Sequence, residues 1–509
     1  MSIIAAKKTE KSLQNYNYDL LFYAGIVSLG LSYLSLLYQQ PFNIDGILYL
    51  KTAAIFIEKG LPAAITTYAW PFYSMLIAWI SLLSTLSLEN SAFLLDALLI
   101  AINVIAFIVL VKELGGSRQT QYWAALVILI YPYLYHDQIN ILRDFGYYAF
   151  ALVSLIFFIR FLRQLQWRYA LAWNITLVLA TLFRIEGAIL LGLAPLAVFM
   201  LCKQNFMHRV WYFLQLNTIN IIILLAVFLW QLKKATLSTH NAGRLAELIT
   251  MFHSGISLLT SNLDLKNNLL KSQILNPLSA DQSFYFLLGG LVSMLLVTII
   301  NTITLLYGLL SYYGFRYKLL LQEHAATIAV VTYIIINLII VGVFLGQTFF
   351  LSGRYAELLC LLFMLAAPFT IDHFFVQKSK WPFAIIALWL VATAINCFGQ
   401  FGTSKTYVLQ AGHWITQNTS LQARVYSNDP QLAYYSHHPG TEYPQDFVSK
   451  DDIIKDLHAL NLARYDYIAV IVGRNDNTTA DKISALLAVK PLQSFSNNRG
   501  DKALIYKLH

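Results

Sequence analysis

The stretch Pro41-Phe-Asn-Ile-Asp45-Gly-Ile-Leu-Tyr49-Leu-Lys51-Thr-Ala53 follows a long apolar run at about residues 19–38. It places a carboxylate at the run's end, then an aromatic and a lysine one and two turns on. The chain around it is 58% hydrophobic and only 12% charged. An ionisable group at a membrane boundary is costly and needs a reason. Two readings of Asp45 stand. It could take a proton from an attacking hydroxyl as a general base, or it could cap a helix opening at 46–58.

Working outward, a mean hydropathy of +0.59 excludes an ordinary soluble enzyme. Many apolar runs reach the roughly 20 residues a spanning helix needs. The first is preceded by Lys7, Lys8 and Lys11 and followed by no small-residue cleavage motif. It reads as an uncleaved anchor with a cytoplasmic N-terminus. The 31 Tyr and 10 Trp suit a large membrane–water boundary. The net charge of +9 is assigned to cytoplasmic loops, since no basic-aromatic stripe points to nucleic acid. Cys202, Cys360 and Cys397 have neither metal nor redox spacing and read as packing residues. There is no repeat, phosphate loop or dinucleotide fingerprint, so no cofactor is expected.

Further apolar segments run at about 69–87, 91–111, 122–135, 145–161, 169–183, 187–202, 210–230, 284–310, 325–346, 356–371 and 382–398. If 69–87 crosses, the basic loops near 112–118, 160–168, 202–209, 315–318 and 378–380 all fall outside. If it lies along the outer surface, they all fall inside. The positive-inside rule therefore predicts eleven spans, with 69–87 as an outer juxtamembrane helix. The loops 39–68, 136–144 and 231–283 are then outer, as are the turn at 184–187, the segment 353–357 and the C-terminal tail. From about 403 the composition turns polar. Strands at Val425-Tyr-Ser-Asn, Tyr467-Ile-Ala-Val-Ile-Val and Ala503-Leu-Ile-Tyr alternate with helices near 405–417, 448–460 and 479–488. The expected fold is a polytopic α-helical membrane module at 1–400 and a small extracytoplasmic α/β domain at 401–509. The pair His437-His438 reads as two solvated loop residues rather than a metal site.

Other ionisable groups gather on the outer side. Arg143 and Asp144 open a span, as a dipole-compatible pair or as part of a site. Arg184 and Glu186 close a tight turn, or Arg184 clamps a phosphate with its bidentate fork. Arg354 and Tyr355 start another outer helix. Lys51 faces a phosphate or snorkels. Two acids and several cations on one side suit a negatively charged, lipid-linked substrate.

With these residues in view, the chain resembles the C-type membrane glycosyltransferases, in the branch of the protein O-mannosyltransferases and lipid A aminoarabinose transferases. The order Asp45, Tyr49, Ala53, Gly60 is similar to that family's first outer loop and helix. Trp70-Pro71-Phe72-Tyr73 resembles its proline-aromatic segment, and Asp144 its second acid. Arg184-Ile-Glu186-Gly187 and Gly353-Arg354-Tyr355 resemble two further elements. Many members carry Asp-Glu where this chain has Asp45-Gly46.

The resemblance implies sugar transfer from a polyprenyl-phosphate donor to an acceptor outside the cytoplasm, a glycolipid, polysaccharide or protein. Asp45 would be the base, and Asp144 would orient the acceptor or share that role. Arg184, Arg354 and Lys51 would hold the donor phosphate, with Tyr49, Arg143, Glu186 and Tyr355 in support. No metal is expected, and the expected location is a bacterial inner membrane. The rival reading is a secondary transporter, which would place ionisable groups at mid-membrane on broken helices in repeated halves.

Overall fold

A computed structural model describes residues 17–508, apart from 38–39, 137–138, 202–204, 235–256, 258, 321–322, 379, 399–403, 439–440, 443–453, 455–456, 458–461 and 475–476. Asp137, Cys202, most of the 448–460 helix and much of the 231–283 loop lie outside the described residues. The chain is a multi-pass helical membrane protein with a small sheet near its C-terminus.

Among the described residues, seven helices are long and apolar enough to cross a membrane: Tyr18–Ser35, Leu88–Glu113, Asp144–Gln164, Pro277–Ile303, His324–Thr348, Gly353–Val376 and Lys380–Cys397. An eighth candidate is the pair Phe206–Leu216 and Thr218–Ala226, bent by 62°. The other expected spans are shorter. Trp167–Phe183 has 17 residues, which at 1.5 Å each reach about 26 Å. Arg118–Leu129 ends ahead of Tyr131-Pro132, because the residue before a proline is pushed out of helical geometry. Glu186–Leu193 passes into a 3-10 turn at Ala194–Met200. The 284–310 run, expected as one span, is two helices, Ser283–Ile303 and Leu305–Arg316. They break at Thr304, whose φ of 66° interrupts the hydrogen-bond ladder.

Phe72–Ser84, the core of the expected juxtamembrane segment, has 13 residues, about 20 Å of helix against a hydrocarbon core of about 30 Å. The expected topology is open to direct test. Cysteines near 50, 140, 270 and 450 should react with an impermeant maleimide from outside, and those near 116, 165 and 320 should not. Outside labelling at 116 would overturn the eleven-span topology.

Packing divides the chain into two compact units. The first takes in Leu98–Tyr133 and Arg143–Ala394, with the chain up to Leu29. The second takes in Gly30–Ala97, Leu134–Leu142 and Ile395–His509. In the first unit, Trp173 and Ser154 meet the Tyr333 hydroxyl at 2.9 and 2.8 Å, so polar groups in the packed interior find partners.

Within the second unit the C-terminal sheet has the order β2-β1-β3-β5-β4. Here β1 is Val425–Ser427, β2 Thr441–Glu442, β3 Tyr467–Val472, β4 Gln493–Ser496 and β5 Lys502–Lys507. β1 pairs in parallel with β2 and β3, while β5 pairs antiparallel with β3 and β4. Alternate residues of β3 point to opposite faces. Ile468, Val470 and Val472 pack with Ile483 and Leu487 of helix Asn477–Leu487. Ala469 and Ile471 pack with Val408, Ala411 and Ile415 of helix Thr406–Asn418. Both faces of the central strand are covered, which explains its unbroken apolar run. The three expected strands and the expected helices near 405–417 and 479–488 form, while the strands Thr441–Glu442 and Gln493–Ser496 and the helix Pro430–Tyr435 were not expected. His437 is exposed, but His438 is buried and its Nε2 bonds the Ser420 carbonyl at 2.8 Å, so it is a structural residue rather than a solvated one.

Candidate active site

The expected site residues fall in both units and are described unit by unit. In the second, Asn43 occupies the N-cap of helix Ile44–Thr67, yet makes no side-chain cap bond. Its Oδ1 accepts instead from the Ile141 amide at 3.1 Å. Asp45 therefore lies in the first turn rather than at the cap. The capping alternative gives way to a weaker one, in which a first-turn carboxylate complements the helix dipole.

Position 46 has no room for the glutamate common in the resembling family. A Cβ there would stand 2.8 Å from Asn43 Oδ1 and 3.0 Å from both Ile141 Cβ and Phe42 Cδ2. Gly60 interrupts the same helix with φ of 76°, a left-handed geometry that glycine adopts at no steric cost.

Tyr49 is buried, its ring edge-on to Tyr73 at 5.2 Å and tilted on Tyr68 at 5.5 Å. Lys51 is exposed. The Tyr73 hydroxyl donates to Asp96 at 2.7 Å, and the other Asp96 oxygen accepts from the Leu142 amide at 3.2 Å. Asp96 is 0% exposed. It interrupts the run Ala92-Phe-Leu-Leu-Asp96-Ala-Leu-Leu-Ile, and that lone acid in an apolar segment was the signal that could have found it. It ties the Tyr73 helix to the loop before Arg143.

In the first unit, Asp144 opens helix Asp144–Gln164, and Arg143 stands at its N-cap position. Arg184 ends one helix and Glu186 starts the next. Their two-residue separation and the forty residues back to Asp144 are bridged by a single side chain. One terminal nitrogen of Arg184 donates to Asp144 and the other to Glu186. Asp144 and Arg184 are 3% and 5% exposed. A buried carboxylate and a partly buried one hold one guanidinium, and removing Arg184 would strand the buried charge of Asp144.

The Arg184 guanidinium lies 4.7 Å from the Tyr355 ring centre and 5.8 Å from that of Tyr147. Arg354 lies 5.2 Å from the same Tyr355 ring, so two cations share one aromatic face set. Phe344 stacks on Tyr355 at 4.2 Å, and the Tyr148 hydroxyl donates to the Arg354 carbonyl. One turn beyond Arg354, Glu357 is buried and accepts from the Tyr131 hydroxyl at 3.1 Å. The sequence reading placed Glu357 on the outer side without a role.

Two polar atoms stand out. Arg184 Nε and the Tyr147 hydroxyl are buried without a hydrogen-bond partner among the described residues. A buried donor left unmade costs about 1–3 kcal/mol, more for a charged group. Both are donors, beside a second cation. Such a set suits a ligand rich in acceptor oxygens. Among the described residues no group of three or more His, Cys, Asp or Glu is arranged to hold a metal ion.

The fold is that of the C-type membrane glycosyltransferases. The chain is similar to the oligosaccharyltransferase of Archaeoglobus fulgidus in complex with zinc and sulfate, with a TM-score of 0.56 at 12% identity over 92% of this chain and 69% of that one. It is similar also to the same organism's AglB bound to an inhibitory peptide and a dolichol-phosphate, at 0.52 and 11% over 93% and 71%. A weaker likeness, 0.43 at 11% over 96% and 98%, is to ArnT from Cupriavidus metallidurans bound to undecaprenyl phosphate, and carries no structural argument. No family model matches the sequence, and no curated protein matches it.

Proposed function

We propose that this chain is an integral membrane glycosyltransferase that moves a sugar from a polyprenyl-phosphate donor to an extracytoplasmic acceptor, a glycan, lipid or protein. The observation that carries the reading is the buried Asp144–Arg184–Glu186 set, with its unpartnered Arg184 Nε and Tyr147 hydroxyl and with Arg354 on the shared Tyr355 ring. Fold alone does not assign an activity. A costly buried charge cluster with unused donors calls for a function.

Asp45 takes the proton of the acceptor hydroxyl. That oxygen bonds to the anomeric carbon as the bond from that carbon to the phosphate oxygen breaks, and polyprenyl phosphate leaves with the electron pair. A single displacement inverts the anomeric carbon. Arg354 and Arg184 Nε, which has no hydrogen-bond partner among the described residues, hold the phosphate and stabilise its growing charge. Asp144 and Glu186 hold Arg184 in orientation, so Asp144 acts through Arg184 rather than as the base. Tyr49, Arg143 and Tyr355 support the two groups. The reading places the membrane module at 1–400, the soluble domain at 401–509 outside, and the protein in a bacterial inner membrane.

The test is transfer by the purified protein from radiolabelled undecaprenyl-phosphate sugars to membrane extracts. Label should pass to a product with release of undecaprenyl phosphate. Uptake of donor without bond cleavage would indicate transport and overturn the reading. Arg354→Ala should weaken donor use by roughly tenfold to a hundredfold, because a charge-assisted contact is worth about 1.5–3 kcal/mol. Unchanged dependence on donor concentration would make Arg354 structural.

A further inference from the structure

The loop that leads into Asp45 is held by a helix nearly four hundred residues later. Gln431 Nε2 donates to the Phe42 carbonyl at 2.6 Å, and the Phe42 amide donates to the Tyr435 hydroxyl at 3.2 Å. Both backbone groups of Phe42 are taken by the short helix Pro430–Tyr435. The Phe42 ring stands edge-on to Tyr434 and Tyr435, each at 5.4 Å.

That helix is itself anchored. Asp429 caps it, accepting from the Gln431 amide at 2.8 Å and the Leu432 amide at 3.1 Å. Lys405 Nζ donates to Gln431 Oε1 at 3.3 Å, which orients the amide so that its NH2 faces Phe42. The Tyr434 hydroxyl donates to Glu89 at 2.6 Å. Burial and the Glu89 carboxylate hold the Tyr434 phenol well above its usual range, so the donated proton stays in place. On the other flank, the Ile141 amide holds Asn43, and Gly46 fits against both.

Any nearby donor and acceptor could have satisfied the Phe42 backbone. Here a cross-braced helix takes both bonds, three residues before the acid. We propose that Gln431 and Tyr435 are positioning residues, which aim the Asp45 carboxylate by fixing the main chain of Phe42. The inference rests on the reading of Asp45 as the base. It gives the helix Pro430–Tyr435 a part in the reaction without contact with the reacting atoms.

Gln431→Leu and Tyr435→Phe should be compared with Asp45→Asn and with the double variant Gln431→Leu/Asp45→Asn. Initial rates from radiolabelled undecaprenyl-phosphate sugar give kcat and donor KM. Deuterium exchange of peptides covering 41–47 reports the loop. Gln431→Leu should cut kcat by roughly tenfold to a hundredfold, as small misplacements do, with donor KM changed by less than about twofold. Exchange in 41–47 should rise. Tyr435→Phe keeps the ring packing and should show a smaller loss of the same kind. It decides the matter if Gln431→Leu does not fold.

On the Asp45→Asn background, Gln431→Leu should cost nothing further, because it acts through the carboxylate. An equal loss on both backgrounds would mark a general structural role and overturn the proposal. Full transfer by both clamp variants, with Asp45→Asn inactive, would overturn the clamp and leave the base. Full transfer by Asp45→Asn would remove the base and the clamp together.

Discussion

Asp45→Asn should leave a folded, abundant protein and reduce transfer by roughly two to four orders of magnitude. Asn43, not Asp45, stands at the N-cap, so the substitution removes no capping bond. The first-turn charge of Asp45 next to the helix dipole accounts for about 0.3–1 kcal/mol of stability. What the substitution loses in chemistry is the ability to accept a proton. The two effects differ by enough to separate them in one preparation. Thermal unfolding in detergent reports the first, and initial transfer rates report the second. Near-normal transfer by a protein that melts normally would take Asp45 out of the mechanism.

Arg184→Met should fail to give stable protein, and for a reason unrelated to substrate. Asp144 and Glu186 would both lose the guanidinium that holds them, and one of them is almost wholly buried. Breaking such a set typically costs about 3–5 kcal/mol, a large share of the 5–15 kcal/mol that usually separates folded from unfolded chains. Arg184→Lys should recover little, since one ammonium cannot fork between two carboxylates. Neutralising the acids as well, in Arg184→Met/Asp144→Asn/Glu186→Gln, should restore folding without restoring transfer. The readout is the fraction of monodisperse protein after heating. A stable Arg184→Met protein would show that the ion set does not bear on folding. Arg184 as a phosphate clamp would imply a milder result, lost donor affinity in an intact protein, and its local pairing with Glu186 gives no sign of Asp144.

That difference shows what the chain's order conceals. Local periodicity carried the C-terminal domain well. The apolar run Tyr467–Val472 and the helices expected near 405–417 and 479–488 are short-range signals, and they form as Tyr467–Val472, Thr406–Asn418 and Asn477–Leu487. Asp45, Arg184 and Arg354 could be singled out because charge is rare in apolar sequence. Their partners could not. The Asp144–Arg184 bond spans 40 residues, and the Tyr131–Glu357 bond spans 226. Nothing in the local pattern of either partner encodes such pairings. The break before Pro132 carries a local mark in the proline, although the expected run 122–135 passed through it, whereas the break at Thr304, an ordinary residue at positive φ, carries none. Gly46 lay between these cases. Its departure from the family's Asp-Glu was visible at once, but the reason, three neighbours within 3.0 Å of a missing Cβ, needed the fold.

The bonds from Gln431 and Tyr435 to Phe42 also set a schedule. Phe42 leaves the ribosome early, and Gln431 follows it 389 residues later. At about 5–20 residues per second that interval lasts roughly 20–80 s. Throughout it the nascent chain inserts its helices while the peptide before Asp45 lacks both of its final backbone partners. The loop is therefore among the last parts of the molecule to be completed, and a chain released before residue 431 has no means of completing it.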